Sequence, residues 1–237
     1  MAESKHNIHK DHRKRVKERF RNEGLDHFSE VHALELLLFF AIPQGDTNPL
    51  AHKLLDRFGN LTQVLDAPVE ELEKVDGIGQ HASTLLALTR DFCRYYMVEA
   101  SRACEIVRNT TECGEYLVPH FVGRRDETVF LLCLDAKCKV LCCKELGSGS
   151  VNATVISARK VAEAALGVNA TSVVLAHNHP SGFAKPSPED ILTTKRIGCA
   201  LDAVGIVLAD HIVVADGDFV SMVESGLYSP DDCRLIL

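Results

Sequence analysis

The stretch that decides the fold is Ala-His-Asn-His-Pro-Ser-Gly-Phe-Ala-Lys-Pro-Ser-Pro-Glu-Asp, Ala176 to Asp190. It follows Ser172-Val-Val-Leu-Ala176, an apolar run of strand length. His177 and His179 are two residues apart, and in extended chain such side chains project to the same face. Both imidazoles therefore reach one ion. Pro180, Ser181 and Gly182 turn the chain. Ser187-Pro188-Glu189-Asp190 then has the composition of a helix start, with Ser at the N-cap, Pro at the first helical position and an acid at the third. Asp190 has two readings here: it caps its own helix, or the loop swings this first turn back to the strand end and completes a His177, His179, Asp190 set. Two imidazoles and a carboxylate, with a fourth position for water, are the ligands of a catalytic zinc site rather than a structural one.

Outward from this stretch, Thr128 to Leu134 and Lys139 to Leu146 are apolar runs joined by Asp135-Ala136-Lys137, and they read as a β-hairpin. Ile156 to Leu166 and Ser187 to Val204 have helical character, and Ile206–Leu208, His211–Val214 and Phe219–Val220 read as short strands. This is a mixture of helices and strands around one sheet, not a series of βαβ units. Upstream, residues 90–125 read as a connector, helical to about Ala103 and then punctuated by Gly114, Pro119 and Gly123, with a domain boundary near residue 104.

The N-terminal part reads as all helix. Residues 31–42 form a buried helix that stops before Pro43, Ala51 to Phe58 another that Gly59-Asn60 ends, and Leu61 starts a short one. Pro68 fits the first turn of Val69 to Val75. In Val-Asp-Gly-Ile-Gly-Gln-His-Ala, Val75 to Ala82, Gly77 and Gly79 permit a tight turn between two helices. The free N–H groups of the second helix suit a phosphate oxygen, although Gln80-His81 stands where a basic residue would strengthen that contact. The alternative is a packing hairpin that binds nothing. Seven Lys/Arg against two acids between Lys10 and Arg21 read as a helix with a thin stripe, Val16 and Phe20, and either a solvated face or a phosphate-contacting patch.

A chain of 237 residues accommodates two domains. The net charge of -7 excludes a polyanion binder as a whole, so any nucleic-acid contact is local. The polar start has no apolar leader, and the longest apolar stretch, Ala33 to Ile42, is far shorter than the ~20 residues that span a bilayer. None of the nine cysteines forms a C-x2-C pair. A cytoplasmic protein with reduced cysteines is the expectation. Cys133, Cys138, Cys142 and Cys143 read as core packing in preference to a second metal site.

The spacing H-x-H-x7-S-x2-D, from His177 to Asp190, resembles the signature of the JAMM/MPN metalloproteases. That family has a further glutamate at the end of an earlier strand, and Glu145 stands there in Cys143-Lys-Glu-Leu-Gly-Ser-Gly-Ser150. With Gly77-Ile78-Gly79 and the late segment Asp210 to Met222, the chain resembles the bacterial RadC family from roughly residue 10 to 228. The resemblance implies an α+β two-domain protein. Residues 1–103 would be an all-α helix-hairpin-helix domain, and residues 104–237 an α/β JAMM/MPN (cytidine deaminase-like) domain with a mixed central sheet. It implies one Zn2+ on His177, His179 and Asp190, Glu145 moving the proton of a polarised water, and Ser187 stabilising an oxyanion. The implied activity is cleavage of a peptide or isopeptide amide, so a peptide or protein conjugate is the implied substrate. Nucleic acid is a further partner through Gly77 and Gly79. Asn178 points away from the metal, and His211 is a core or supporting residue. The chain departs from the family at Phe183-Ala184 and at Ile156 to Arg159, which bears on substrate more than on chemistry.

Overall fold

Two apolar runs lie side by side in the middle of a five-stranded sheet in the computed structural model, as β1 (Glu127–Leu134) and β3 (Ser172–Asn178). The other strands are β2 (Val140–Gly149), β4 (Val207–Ala215) and β5 (Asp218–Ser221), and the spatial order is β2-β1-β3-β4-β5. All neighbours are antiparallel except β3 and β4, so the sheet is mixed. The structure describes residues 2–103, 105–149, 157–180 and 182–232, with side chains from residue 11 onward. Ser150, Ile156, Ser181, Cys104 and Cys233, and the side chain of Lys10, lie outside that set.

Both sheet faces are covered, which is why the central strands read as continuous rather than alternating apolar runs. On one face Val129, Leu131, Leu175 and Val213 pack with Val161 of α8 (Ala158–Leu166) and with Ile197 and Leu201 of α9 (Pro188–Asp202). On the other, Phe130, Leu132, Val174 and Ile212 pack with Tyr116 and Leu117 of α7 (Thr110–Leu117) and with Phe121 of a short 3-10 turn, Val118–Phe121. Alternation along β3 and β4 assigns His177 and His211 to the α9 face.

Two expectations change. The segment read as a connector contains α7, with Gly114 inside it. A Cβ there would lie 2.2 Å from the ring of Phe219, so the glycine is kept for close packing and does not end the helix. The two short strands expected at 206–214 are one strand. The polar residue inside it, Asp210, is buried but satisfied: its carboxylate accepts from Ser221 Oγ at 2.6 Å, His211 N at 2.7 Å and Val223 N at 3.1 Å. Burial raises its carboxyl pKa, and those donors oppose the rise.

The chain divides into two units, residues 1–93 and 94–237, within a helix rather than at its end near residue 104. The first unit holds the helices α1 (Ala2–Glu23), α2 (Glu30–Ala41), α3 (Asn48–Phe58), α4 (Leu61–Asp66), α5 (Val69–Leu72) and the start of α6 (Gln80–Ser101). Leu34, Leu38, Leu54, Leu72 and Leu86 form the centre of its core. Among the described residues no helix is long and apolar enough to cross a membrane. Cys93, Cys113, Cys133, Cys138, Cys142 and Cys143 carry free thiols. Cys199 is disulfide-bonded, which corrects the expectation that all cysteines are reduced.

Replacing Gly114 by Ala forces the Phe219 ring to move and should cost the second unit about 1–3 kcal/mol. Gly147→Ala meets no atom within 4 Å and serves as the control. Denaturant unfolding of both variants checks this, and equal stability of the two would show that the close contact at Gly114 is not required.

Candidate metal centre

The C-terminal end of β3 lies between β1 and β4, and pairing with β4 continues past its last residue through His179 N to Val214 O at 2.8 Å. Both histidines are therefore fixed at the backbone. His177 Nε2 lies 3.0 Å from His179 Nε2 and 3.5 Å from Asp190 Oδ1, and His179 Nε2 lies 3.5 Å from Asp190 Oδ2. A tetrahedral Zn2+ with donors at about 2.0–2.1 Å sets those donors roughly 3.3–3.4 Å apart. The two 3.5 Å separations run to different oxygens of Asp190, and with one donor atom from each residue the group converges within 4.8 Å, so the three residues fit such an ion once the Asp190 carboxylate turns one oxygen toward both imidazoles. Among the described residues this is the group of His, Cys, Asp and Glu side chains whose ligand atoms converge.

The other nitrogen of each imidazole is engaged. His179 Nδ1 is 3.0 Å from the Phe183 carbonyl oxygen, an acceptor, so Nδ1 carries the proton and Nε2 the lone pair. His177 Nδ1 is 2.8 Å from Nε2 of His211. His211 is buried, and burial, followed by the positive charge of His177, pushes it well below the ordinary histidine range. Metal-binding histidines commonly donate their second N–H in this way, which fixes ring orientation.

Asp190 arrives on the first turn of α9. Ser187 is the N-cap, and a capping box is complete. Ser187 Oγ accepts from Asp190 N at 3.1 Å, and Ser187 N donates to Asp190 Oδ2 at 2.8 Å. Ser187 Oγ also donates to Asp190 Oδ2 at 2.6 Å. Burial alone would raise the Asp190 carboxyl. The hydrogen bond and charge of His177, and then the Ser187 donors, outweigh it and hold the group well below the usual carboxylate range. The two readings of Asp190 are therefore compatible: it caps the helix and faces both histidines. The Ser187 proton is already given to Asp190 here, rather than pointing to a free oxyanion position.

The structure does not bring Glu145 to this group. β1 and β2 shift register between Val129, paired with Gly147, and Phe130, paired with Glu145, leaving Leu146 as the extra residue. Cross-strand partners share a face, so Glu145 lies with Phe130 and Cys143 on the α7 side, opposite His177. Its carboxylate is ion-paired with Arg124 at 2.9 Å, and the Arg124 guanidinium stands over the Phe130 ring. Asn178 lies where alternation places it, away from the ligands, with Oδ1 accepting from Thr128 N at 2.7 Å. Cys133 and Cys143 are pushed up to about 12, first by burial and then by Cys142 (for Cys143 by Cys133 as well), so these thiols are packing groups.

Sequence reasoning missed the direct contact of His211 with His177, and Thr194 altogether. A histidine inside an otherwise apolar buried strand is itself a signal, because it needs a partner. Naming that partner requires knowing that β4 lies beside β3.

In the first unit Gly77 has φ +95, and a Cβ there would lie 2.5 Å from a methyl of Leu50. Gly79 has open space around the same position. Ile78 between them is buried. Lys53 lies beside the turn, ion-paired with Asp76 at 3.0 Å.

A mixed sheet covered by helices on both faces, with two histidines at the end of a central strand and an aspartate on the next helix, is the arrangement of a JAB-type domain. Residues 107–227 match the family model described as a RadC-like JAB domain. A UPF0758 protein of Ruegeria pomeroyi is 36% identical over 86% of this chain and 92% of its own length. A UPF0758 protein of Shouchella clausii is 35% identical over 91% and 94%. A third, of Fusobacterium nucleatum, is 32% identical over 91% and 96%. The chain belongs to the RadC family.

Ser187→Ala removes the cap and should destabilise the second unit by about 0.5–2 kcal/mol in urea unfolding, with Ser187→Asn largely restoring it. Gly77→Ala should lower the melting temperature of the first unit, whereas Gly79→Ala should not. An unchanged melting temperature in Gly77→Ala would mean that Leu50 and the turn adapt freely.

Proposed function

We propose that the second unit is a zinc-dependent hydrolase that cleaves an amide, in a peptide or a protein conjugate linked through an isopeptide bond. The observation that carries this is the convergence of the ligand atoms of His177, His179 and Asp190 within 4.8 Å of one another. The side chains of His179 and Asp190 are 16% and 23% exposed, so the group opens to solvent on that side. Three protein donors with an accessible side suit a reacting centre more than a closed structural one. A zinc ion held there supplies a Lewis acid that brings a coordinated water to a pKa of about 7. With metal bound, His177 and His179 would present their Nε2 lone pairs, and Asp190 a carboxylate whose Oδ2 is held by the Ser187 backbone N–H and hydroxyl. Many enzymes that cut phosphodiesters use two ions, and among the described residues there is one such group. That favours an amide over a nucleic-acid backbone as the bond cleaved.

The reading keeps Glu145 as the proton carrier of the working complex. For that, the bulge moves from Leu146 to Lys144, so that Glu145 pairs with Leu131 on the His177 face and Leu146 with Phe130 on the other. Ser187 would serve an oxyanion only by releasing its bond to Asp190. Contact of the first unit with nucleic acid through Gly77, Gly79 and the start of α6 is a second proposal. It rests on the glycine turn and the exposed helix start, and its affinity should fall steeply with salt.

Metal analysis of the purified chain should give one zinc, lost in His179→Ala, with hydrolysis of peptide or isopeptide-linked substrates lost as well. A metal-free wild type after zinc loading would overturn the reading. Glu145→Gln should keep its zinc, since Glu145 touches none of the three ligands, and should lose turnover. Undiminished turnover would assign the proton to another group.

A further inference from the structure

We propose that Thr194 and His211 are positioning residues that set which nitrogen of His177 is offered to the metal, and that the signal originates at the backbone of another ligand, Asp190. This rests on the metal reading above for its consequence, but its hydrogen-bond logic stands on four groups within the second unit.

The chain of contacts is continuous. Thr194 Oγ1 is 2.6 Å from the carbonyl oxygen of Asp190, one turn back on α9. Thr194 Oγ1 is also 2.5 Å from His211 Nδ1. His211 Nε2 is 2.8 Å from His177 Nδ1, and His177 Nε2 faces His179 and Asp190. A carbonyl oxygen accepts only, so the single hydroxyl proton of Thr194 goes to Asp190. Met222 Sδ, at 3.4 Å, competes as a much weaker acceptor. With its proton spent, Thr194 Oγ1 accepts, so His211 carries its proton on Nδ1. His211 Nε2 then holds a lone pair and accepts, so His177 carries its proton on Nδ1. In the neutral imidazole, the form that binds a metal, Nε2 of His177 is then left with its lone pair on the ligand side. Each step follows from the one before, because each group has one proton to place and one direction left.

Burial makes the relay selective. Thr194 is fully buried and His211 is 2% exposed, so water does not offer either group an alternative partner. Reversing the His177 tautomer would set two lone pairs against each other across a 2.8 Å gap in a dry site, and reversing that of His211 would set two N–H groups there. The relay also ties the two arms of the ligand set together. Asp190 comes from the first turn of α9 and His177 from β3, and Thr194 and His211 link them behind the ligand plane.

The test reads imidazole protonation directly. In the nitrogen-15 spectrum of the metal-free wild-type protein, His211 should show a protonated Nδ1 and an unprotonated Nε2, and His177 a protonated Nδ1. A protonated Nε2 on His211 would overturn the relay, whether or not the chain takes up zinc. Zinc uptake by the wild type is scored separately and reports on the metal reading alone. Thr194→Val keeps shape and removes the hydroxyl, and it should weaken zinc binding about 10–100-fold in chelator competition. It should also release the His211 tautomer. Thr194→Ser should restore both. Wild-type affinity and an unchanged tautomer in Thr194→Val, or a failure of Thr194→Ser to restore them, would overturn the assignment. The melting temperature of each metal-free variant separates loss of folding from loss of positioning.

Discussion

The capping box at the start of α9 is the constraint on which the second unit's site depends. Asp190 must present a carboxylate to two imidazoles from the end of a loop, where a free acid would be mobile and solvated. Ser187 removes that freedom. Its backbone N–H and its hydroxyl both bind Oδ2, and Asp190 N returns a bond to the hydroxyl. These bonds are local, within one helical turn, so they form with the helix itself. The N-terminal end of the helix also favours negative charge. The same residue thus ends the loop, starts the helix and holds the ligand ionised, and any one of these roles keeps the others in place.

The order of strands then decides what surrounds the ligands. β3 and β4 run parallel, with Leu175 opposite His211 and His177 opposite Val213. On one sheet face His211 therefore stands diagonally beside His177, against α9. The parallel pair requires a crossover, and the crossover is α9, which supplies Asp190 and Thr194. Ligand, relay and helix are products of one topological choice. Had β4 been antiparallel to β3, the chain would have had no need to place a helix across this end of the sheet.

What could be read from the sequence follows from the range of the interactions. His177, His179, Ser187 and Asp190 were legible because strand alternation and capping act over a few residues. The strands themselves were legible from their apolar runs. α7 was not, because Gly114 is a poor helix residue whose reason lies in Phe219, a hundred residues on. The face taken by Glu145 was not either. It depends on one extra residue, Leu146, whose burial draws the bulge to that position. The basic run of α1 is a third case. Arg13 stacks over Phe39 at 4.7 Å, Lys17 over Phe40 at 5.1 Å and Arg19 over Phe28 at 4.6 Å. His12 bonds the buried Glu35 at 2.9 Å. Part of a charge pattern that reads as a binding patch is used to hold α1 on α2.

The ligand group is graded from inside to outside. His177 is the innermost, buried and braced through His211, while His179 and Asp190 are partly exposed. The bracing differs accordingly. His177 leans on a side-chain relay inside the core, whereas His179 leans on the carbonyl of Phe183, in a loop whose own side chain is 77% exposed. From the solvent side, His179, Asp190 and that loop come before His177. Changes in the loop at Phe183 and Ala184 therefore alter the solvent-facing side of the group while leaving the core-braced ligand in place.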